Sequence, residues 1–267
     1  MADFILLGSM GAVAGLLAGL FGIGGGIIIV PALIFSFEMD GMGQYATKLA
    51  IGTSLASILF MGLSSSFAHY KREAIEWESL FCLAPFIIVG TAIGSQIAGR
   101  VDGFLLKRLF GILMLTVAMT MLFRISEKEA PHASEDRVLS VRKWMIYAVG
   151  GILIGTISSL FGTGGGTMTV PFLVLLLDKP IRVAIGTASA TGVIIAFFGT
   201  IGFIYQGWRF LPNMRFGFVA PQTALLIAAC GCMTAPLGAL IAHRIDTLLL
   251  SRVFSVFLII VSFLLIF

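Results

Sequence analysis

Long apolar runs, interrupted at a few polar points, dominate this chain. Leu49–Ala68 and Val183–Tyr205 carry no charged residue. Each is about the 20 residues that a helix needs to cross a hydrocarbon core of roughly 30 Å. Further runs at 79–99, 104–123, 216–243 and 247–267 join those at 46–69 and 182–205 to make six expected spans. The alternating pattern of a membrane barrel is absent. The pattern predicts an all-α polytopic membrane protein.

Two runs do not fit a single crossing. Residues 4–37 and 144–177 would each make a helix of about 51 Å, well over the core thickness. Both contain a glycine-rich break, LFGIGGG at Leu20–Gly26 and LFGTGGG at Leu160–Gly166. Each glycine inside a helix costs about 1 kcal/mol relative to alanine. The breaks therefore predict a helix of near-spanning length followed by a half-helix, Ile27–Phe37 or Thr167–Leu177, folded back as a hairpin within the membrane. Backbone exposed at that depth is tolerated only where it is buried in protein or lines a cavity.

The glycines belong to a longer repeat. Leu20-Phe21-Gly22 and Val30-Pro31 recur 140 residues on as Leu160-Phe161-Gly162 and Val170-Pro171, and Ala50-Ile51-Gly52-Thr53 recurs 134 residues on as Ala184-Ile185-Gly186-Thr187. Gly94, Ala98, Arg100, Asp102, Arg108 and Phe110 match Gly238, Ala242, Arg244, Asp246, Arg252 and Phe254, 144 residues on. The chain thus divides into an N-terminal membrane repeat at 1–123, a polar linker at 124–143 and a C-terminal membrane repeat at 144–267.

With each glycine hairpin returning to its own side, every half crosses three times and the halves have inverted orientation. Lys48, Arg100, Lys107, Arg108, Arg209 and Arg215 then share the face of the N-terminus, and the other eleven of the 17 Lys and Arg share the face of the linker. That excess places the linker in the cytoplasm. Treating each glycine block as one full crossing gives a nine-to-eight split, which predicts nothing.

Composition adds little beyond this. Charged residues make up 11% of the chain and hydrophobic ones 58%, with a mean hydropathy of +1.07. The net charge of +4 follows from basic cytoplasmic loops and calls for no nucleic-acid partner. Cys82, Cys230 and Cys232 lie in apolar segments without histidines at metal-ligand spacing, so they read as structural thiols and imply no metal or cofactor. The apolar start has Asp3 in place of a basic leader region, and its pattern recurs internally, so it belongs to the mature fold.

The candidate chemistry lies at the glycines. Half-helices beginning at Gly26 and Gly166 present free N–H groups and positive dipole ends. In transporters built from inverted repeats, such ends meet near the bilayer middle and bind anions. Gly24, Gly25 and Gly26 with Gly164, Gly165 and Gly166 are accordingly the expected substrate-binding backbone. Thr53, Ser54, Thr167 and Thr187 supply hydroxyls on otherwise apolar spans. Packing between helices is the competing reading of the glycines, and back-bonding that of the hydroxyls. The second turn is the more polar, with Thr163, Thr167 and Thr169 where the first has Ile23, Ile27 and Ile29. No Asp or Glu lies within an expected span, and no Ser-His pair or histidine cluster that would make a membrane protease or zinc peptidase.

The paired LFGxGGG…VP blocks, the AIGT segments and the length resemble the TauE/SafE family, the sulfite exporters formerly called DUF81, over essentially the whole chain. The resemblance implies a carrier, not an enzyme, that moves sulfite or small organosulfur anions across the bacterial inner membrane, commonly outward. An importer or channel for another small anion, such as a carboxylate, is the alternative. The expected partners are a small anion and the lipid bilayer, and a homo-oligomer stays open.

Overall fold

The computed structural model describes residues 2–22, 24–124, 141–210 and 215–242, with eight further residues between 255 and 266. Most of the expected linker and of the expected span at 247–267 lie outside them, as do Arg244 and Asp246. Among the described residues the regular structure is helical, with no strand. The first half holds α1 (Ala2–Phe21), α2 (Gly26–Met39), α3 (Ala46–Tyr70), α4 (Trp77–Arg100) and α5 (Gly103–Arg124). The second holds α6 (Val141–Phe161), α7 (Gly166–Leu176), α8 (Ile181–Phe210) and α9 (Pro221–Ala242). Five of these helices are long and apolar enough to cross a membrane: α3, α4, α6, α8 and α9.

Both long apolar blocks break at their glycines, and both double back. Gly25 lies only four residues beyond the end of α1, yet a methyl group on it would stand 2.7 Å from the carbonyl oxygen of Ala14. Ala14 sits about 10 Å back along α1 at 1.5 Å per residue. In the second block the ring of Phe172 on α7 covers Gly150 on α6, a contact that a continuing helix could not make. The ends of the block agree. Lys143 pairs with Glu78 at 3.3 Å, and Lys179 pairs with Glu76. Two lysines that bracket residues 144–177 therefore hold carboxylates two residues apart, so the block leaves and returns on one face.

The core is assembled across the two halves. Helix α1 packs along α9, α6 along α4, and α3 against α8 at the centre, with α2 on α3 and α7 on α8. Small residues permit the close crossings, as in membrane helix pairs generally. Methyl groups on Gly11, Gly15 or Gly19 of α1 would run into the backbone of α9 at Ile227, Gly231 and Ala235. Gly90 of α4 meets Ile152 of α6 in the same way, and Gly155 of α6 meets Ile87 of α4. Glycine as a packing residue is thus realised along these stripes, apart from the two turns.

Two hydrogen bonds fix the long helices to the opposite half. Ala220, which precedes α9, donates its N–H to Oγ1 of Thr53 at 3.0 Å. Glu76, which precedes α4, donates its N–H to Oγ1 of Thr187 at 2.9 Å. The donors are 144 residues apart and the acceptors 134, the spacings of the sequence repeat. Each threonine stands where a capping-box side chain would otherwise reach back to the N-cap N–H.

Aromatic residues mark the helix ends. Tyr70, Trp77, Trp144, Tyr205 and Trp208 are exposed, and the indole of Trp208 donates to the carbonyl of Arg215 at 2.9 Å. Such residues anchor at the membrane–water interface.

Candidate anion site at the glycine turns

The two glycine turns meet. A methyl group on Gly24 would lie 3.7 Å from Cα of Gly164, and one on Gly26 would collide with the carbonyl oxygen of Gly162 and stand 2.8 Å from Cα of Thr163. Gly24 and Gly164 have φ of 77° and 75°, a left-handed backbone that residues with a Cβ seldom adopt. A Cβ on Gly24 would also press on the Ile58 side chain of α3, 2.8 Å away.

The three glycines of the first triplet divide the work. Gly24 and Gly26 face the opposite turn. Gly25 is pressed onto Ala14 of α1, and Gly165 onto the Ala188 carbonyl and the Gly192 amide of α8. The middle glycines are therefore packed against the neighbouring helices. The two turns also differ in backbone, since Gly25 has φ of 80° whereas Gly165 is right-handed at −75°.

Both half-helices start without a side-chain cap. The Gly25 carbonyl accepts from Ile28 and Ile29 at 3.1 and 3.2 Å, and the Gly165 carbonyl from Thr169 at 2.9 Å. Amides of the first turn otherwise point out of the helix, which suits an anion. Pro31 and Pro171 recur inside α2 and α7, where the missing N–H leaves a carbonyl one turn earlier, at Ile27 or Thr167, without its helical donor.

The expected hydroxyls separate into two groups. Ser54 and Thr167 come to the turns: Ser54 donates to the Gly162 carbonyl at 3.0 Å, and Thr167 shares a 3.1 Å hydrogen bond with Thr163. Thr53 and Thr187 are drawn instead to the N-termini of α9 and α4 as described above. The second turn is polar as expected, with Thr191 donating to Thr169 at 3.3 Å. Around the first turn, Ile27, Ile29 and Ile58 are buried; Ile23 lies outside the described residues.

Several buried polar groups were not singled out by the sequence. Lys48 is 8% exposed, donates to the Gly99 carbonyl at 2.8 Å and stands 5.6 and 5.8 Å from the rings of Phe210 and Phe218. It holds the C-terminal end of α4, where a cation is favoured by the helix dipole. Its position just inside the apolar run of α3 was the available signal. Thr91 and Ser158 are fully buried as well. A pocket of about 310 Å³ beside the α4–α5 turn, lined by Asp102, Phe104, Lys107, Arg108 and Leu265 among others, shares none of these residues.

Among the described residues, five membrane-length apolar helices, no strand and two glycine turns that meet ahead of uncapped half-helices are the organisation of a polytopic membrane transporter. The family model described as sulfite exporter TauE/SafE matches residues 7–265, and the chain belongs to that family. It is 35% identical to a probable membrane transporter protein of Haemophilus influenzae, over 98% of both chains. It is 31% identical to one of Xylella fastidiosa, over 97% of this chain and 92% of the relative. A third, from Methanocaldococcus jannaschii, is 28% identical over 90% and 87%. No solved structure matches.

Proposed function

We propose that the chain is a secondary transporter exporting sulfite or a small organosulfur anion by alternating access between two inverted halves. The observation that carries this reading is the meeting of two glycine turns, Gly24 and Gly26 against Gly162–Gly164, each leading into an uncapped half-helix. Two positive helix ends close together favour an anion, and glycine lets the two turns approach beside the Ile58 side chain of α3. Backbone amides of Gly24, Gly26, Gly164 and Gly166, with the Thr167 hydroxyl, hold the substrate.

The Glu76–Lys179 pair supports inverted halves, because these groups share a face only if residues 144–177 return to their own side. Glu38 with Lys107 and Glu78 with Lys143 join groups on one face in either arrangement. On this reading residues 124–143 lie on the cytoplasmic side of a bacterial inner membrane, the side that an excess of Lys and Arg favours.

The test is uptake of labelled sulfite into liposomes holding the purified protein, with unlabelled anions as competitors. Saturable uptake blocked by sulfite and by sulfonates is the expected result. A folded, reconstituted protein that moves no anion would overturn the reading.

A further inference from the structure

Helix α5 has two unlike sides. Leu106, Phe110 and Met114 are buried, whereas Phe104, Leu105, Leu109 and Ile112 are exposed at the spacing of one helical stripe. Large apolar side chains left open on a multi-pass membrane protein face acyl chains, which are as apolar as they are. Arg108 stands within the exposed stripe, about 8 Å along the helix from Gly103. It joins no ion pair among the described residues. A guanidinium at that place has an apolar surround and no counter-charge from its own chain.

The pocket of about 310 Å³ beside the α4–α5 turn lies at this point, between Phe104 and Leu105 of α5 and the side chains of Leu265 and Ile266. A methyl group on Gly111 would stand 2.7 Å from Ile266, so the two segments pack together just below it. Three charged residues line the pocket: Asp102, Lys107 and Arg108. Lys107 is already satisfied, since it donates to both carboxylate oxygens of Glu38 at 2.8 and 3.0 Å. Asp102 accepts the N–H of Phe104 at 3.4 Å and joins no ion pair among the described residues. Lys48 acts on Asp102 through its charge, but it is tied to the Gly99 carbonyl and does not line the pocket. An acid and a base thus share one apolar-walled pocket without pairing with each other. With Lys107 counted together with Glu38, the lining charges cancel.

We propose that this pocket binds a phospholipid with a phosphoethanolamine headgroup: phosphate on Arg108, primary ammonium on Asp102, and acyl chains along the exposed stripe of α5. Pockets between membrane helices that carry basic groups hold lipid headgroups. Arginine meets a phosphate with two parallel N–H donors. An ammonium with three N–H donors suits the Asp102 carboxylate, whereas a quaternary choline has none to give. A phosphoglycerol headgroup brings a negative charge that Arg108 can meet but nothing positive for Asp102. The zwitterion matches both groups and leaves the pocket neutral. The site is separate from the glycine turns and does not depend on which anion the chain carries.

The test is native mass spectrometry of the purified protein, delipidated in detergent and given equal amounts of phosphatidylethanolamine, phosphatidylcholine and phosphatidylglycerol with the same acyl chains. Wild type is expected to retain phosphatidylethanolamine in preference to both others. Arg108→Gln should weaken that binding about tenfold, the loss of a charge-assisted bidentate contact. Asp102→Asn keeps a helix-capping side chain and should erase the preference over phosphatidylglycerol. Both side chains are exposed, so neither variant should shift the lipid-free Tm appreciably. Equal retention of the three lipids, or variants that bind as wild type does, would overturn the proposal. So would a wild-type preference for phosphatidylglycerol, which marks a merely basic patch. Displacement of the lipid by inorganic phosphate would also overturn it, since that marks a site for a free anion. A lipid-free dimer broken by Arg108→Gln would give the pocket to a second copy of the chain instead.

Discussion

At the scale of single residues, the turns are held by contacts that can be broken one at a time. Gly26→Ala drives a methyl group into the Gly162 carbonyl, an overpacking that costs about 1–3 kcal/mol and separates the two turns. Gly41→Ala meets open space at φ of 77°, so it costs only the left-handed strain of about 1–2 kcal/mol. Both variants are expected to lower Tm, but only Gly26→Ala abolishes sulfite uptake. Equal uptake by the two would detach the turns from function. Thr53→Val and Thr187→Val each remove the acceptor for an N-cap amide. Each should destabilise the protein by about 1 kcal/mol, with serine at either position restoring most of it, as read by thermal unfolding. The triplets were legible because they recur. The division of labour within them was not, because which glycine faces the other turn is set by helices far away in sequence. The full burial of Thr91 and Ser158 gave no signal, since it is a property of the packed core.

At the scale of elements, the hydrophobic pattern placed the breaks well. The expected half-helices Ile27–Phe37 and Thr167–Leu177 correspond to Gly26–Met39 and Gly166–Leu176, since glycine runs and apolar length are both local. The pattern fell short where a helix outlasts its apolar stretch. Helix α8 continues to Phe210, past the polar Gln206, which is 3% exposed and so buried in the protein. Conversely, α9 starts at Pro221, after a turn that the apolar run 216–243 conceals. The doubling back of the second block has a direct check. Cysteines placed at Lys143 and Lys179 should both react with a membrane-impermeant maleimide from the same side of the membrane. Labelling from opposite sides would make that block a full crossing.

At the scale of the molecule, the first helix of each half lies along the second long helix of the other, and each central threonine caps a helix across the divide. The sequence repeat pointed to two halves but not to this exchange, because a hydrophobic face does not name its partner. Expressed alone, residues 1–123 would expose the α1 and α4 stripes that α9 and α6 cover. Either half alone is expected to be degraded, and the two co-expressed to accumulate and co-purify. Stable accumulation of one half would contradict the exchanged packing. The exchange also gives the turns their common location, and on the proposed reading two half-helices address a single ligand there. The most direct measurement of that claim is the stoichiometry of labelled sulfite bound to the purified protein at equilibrium. One anion per chain, lost in Gly26→Ala, is the predicted result. Two anions per chain, or binding unchanged by that substitution, would contradict it.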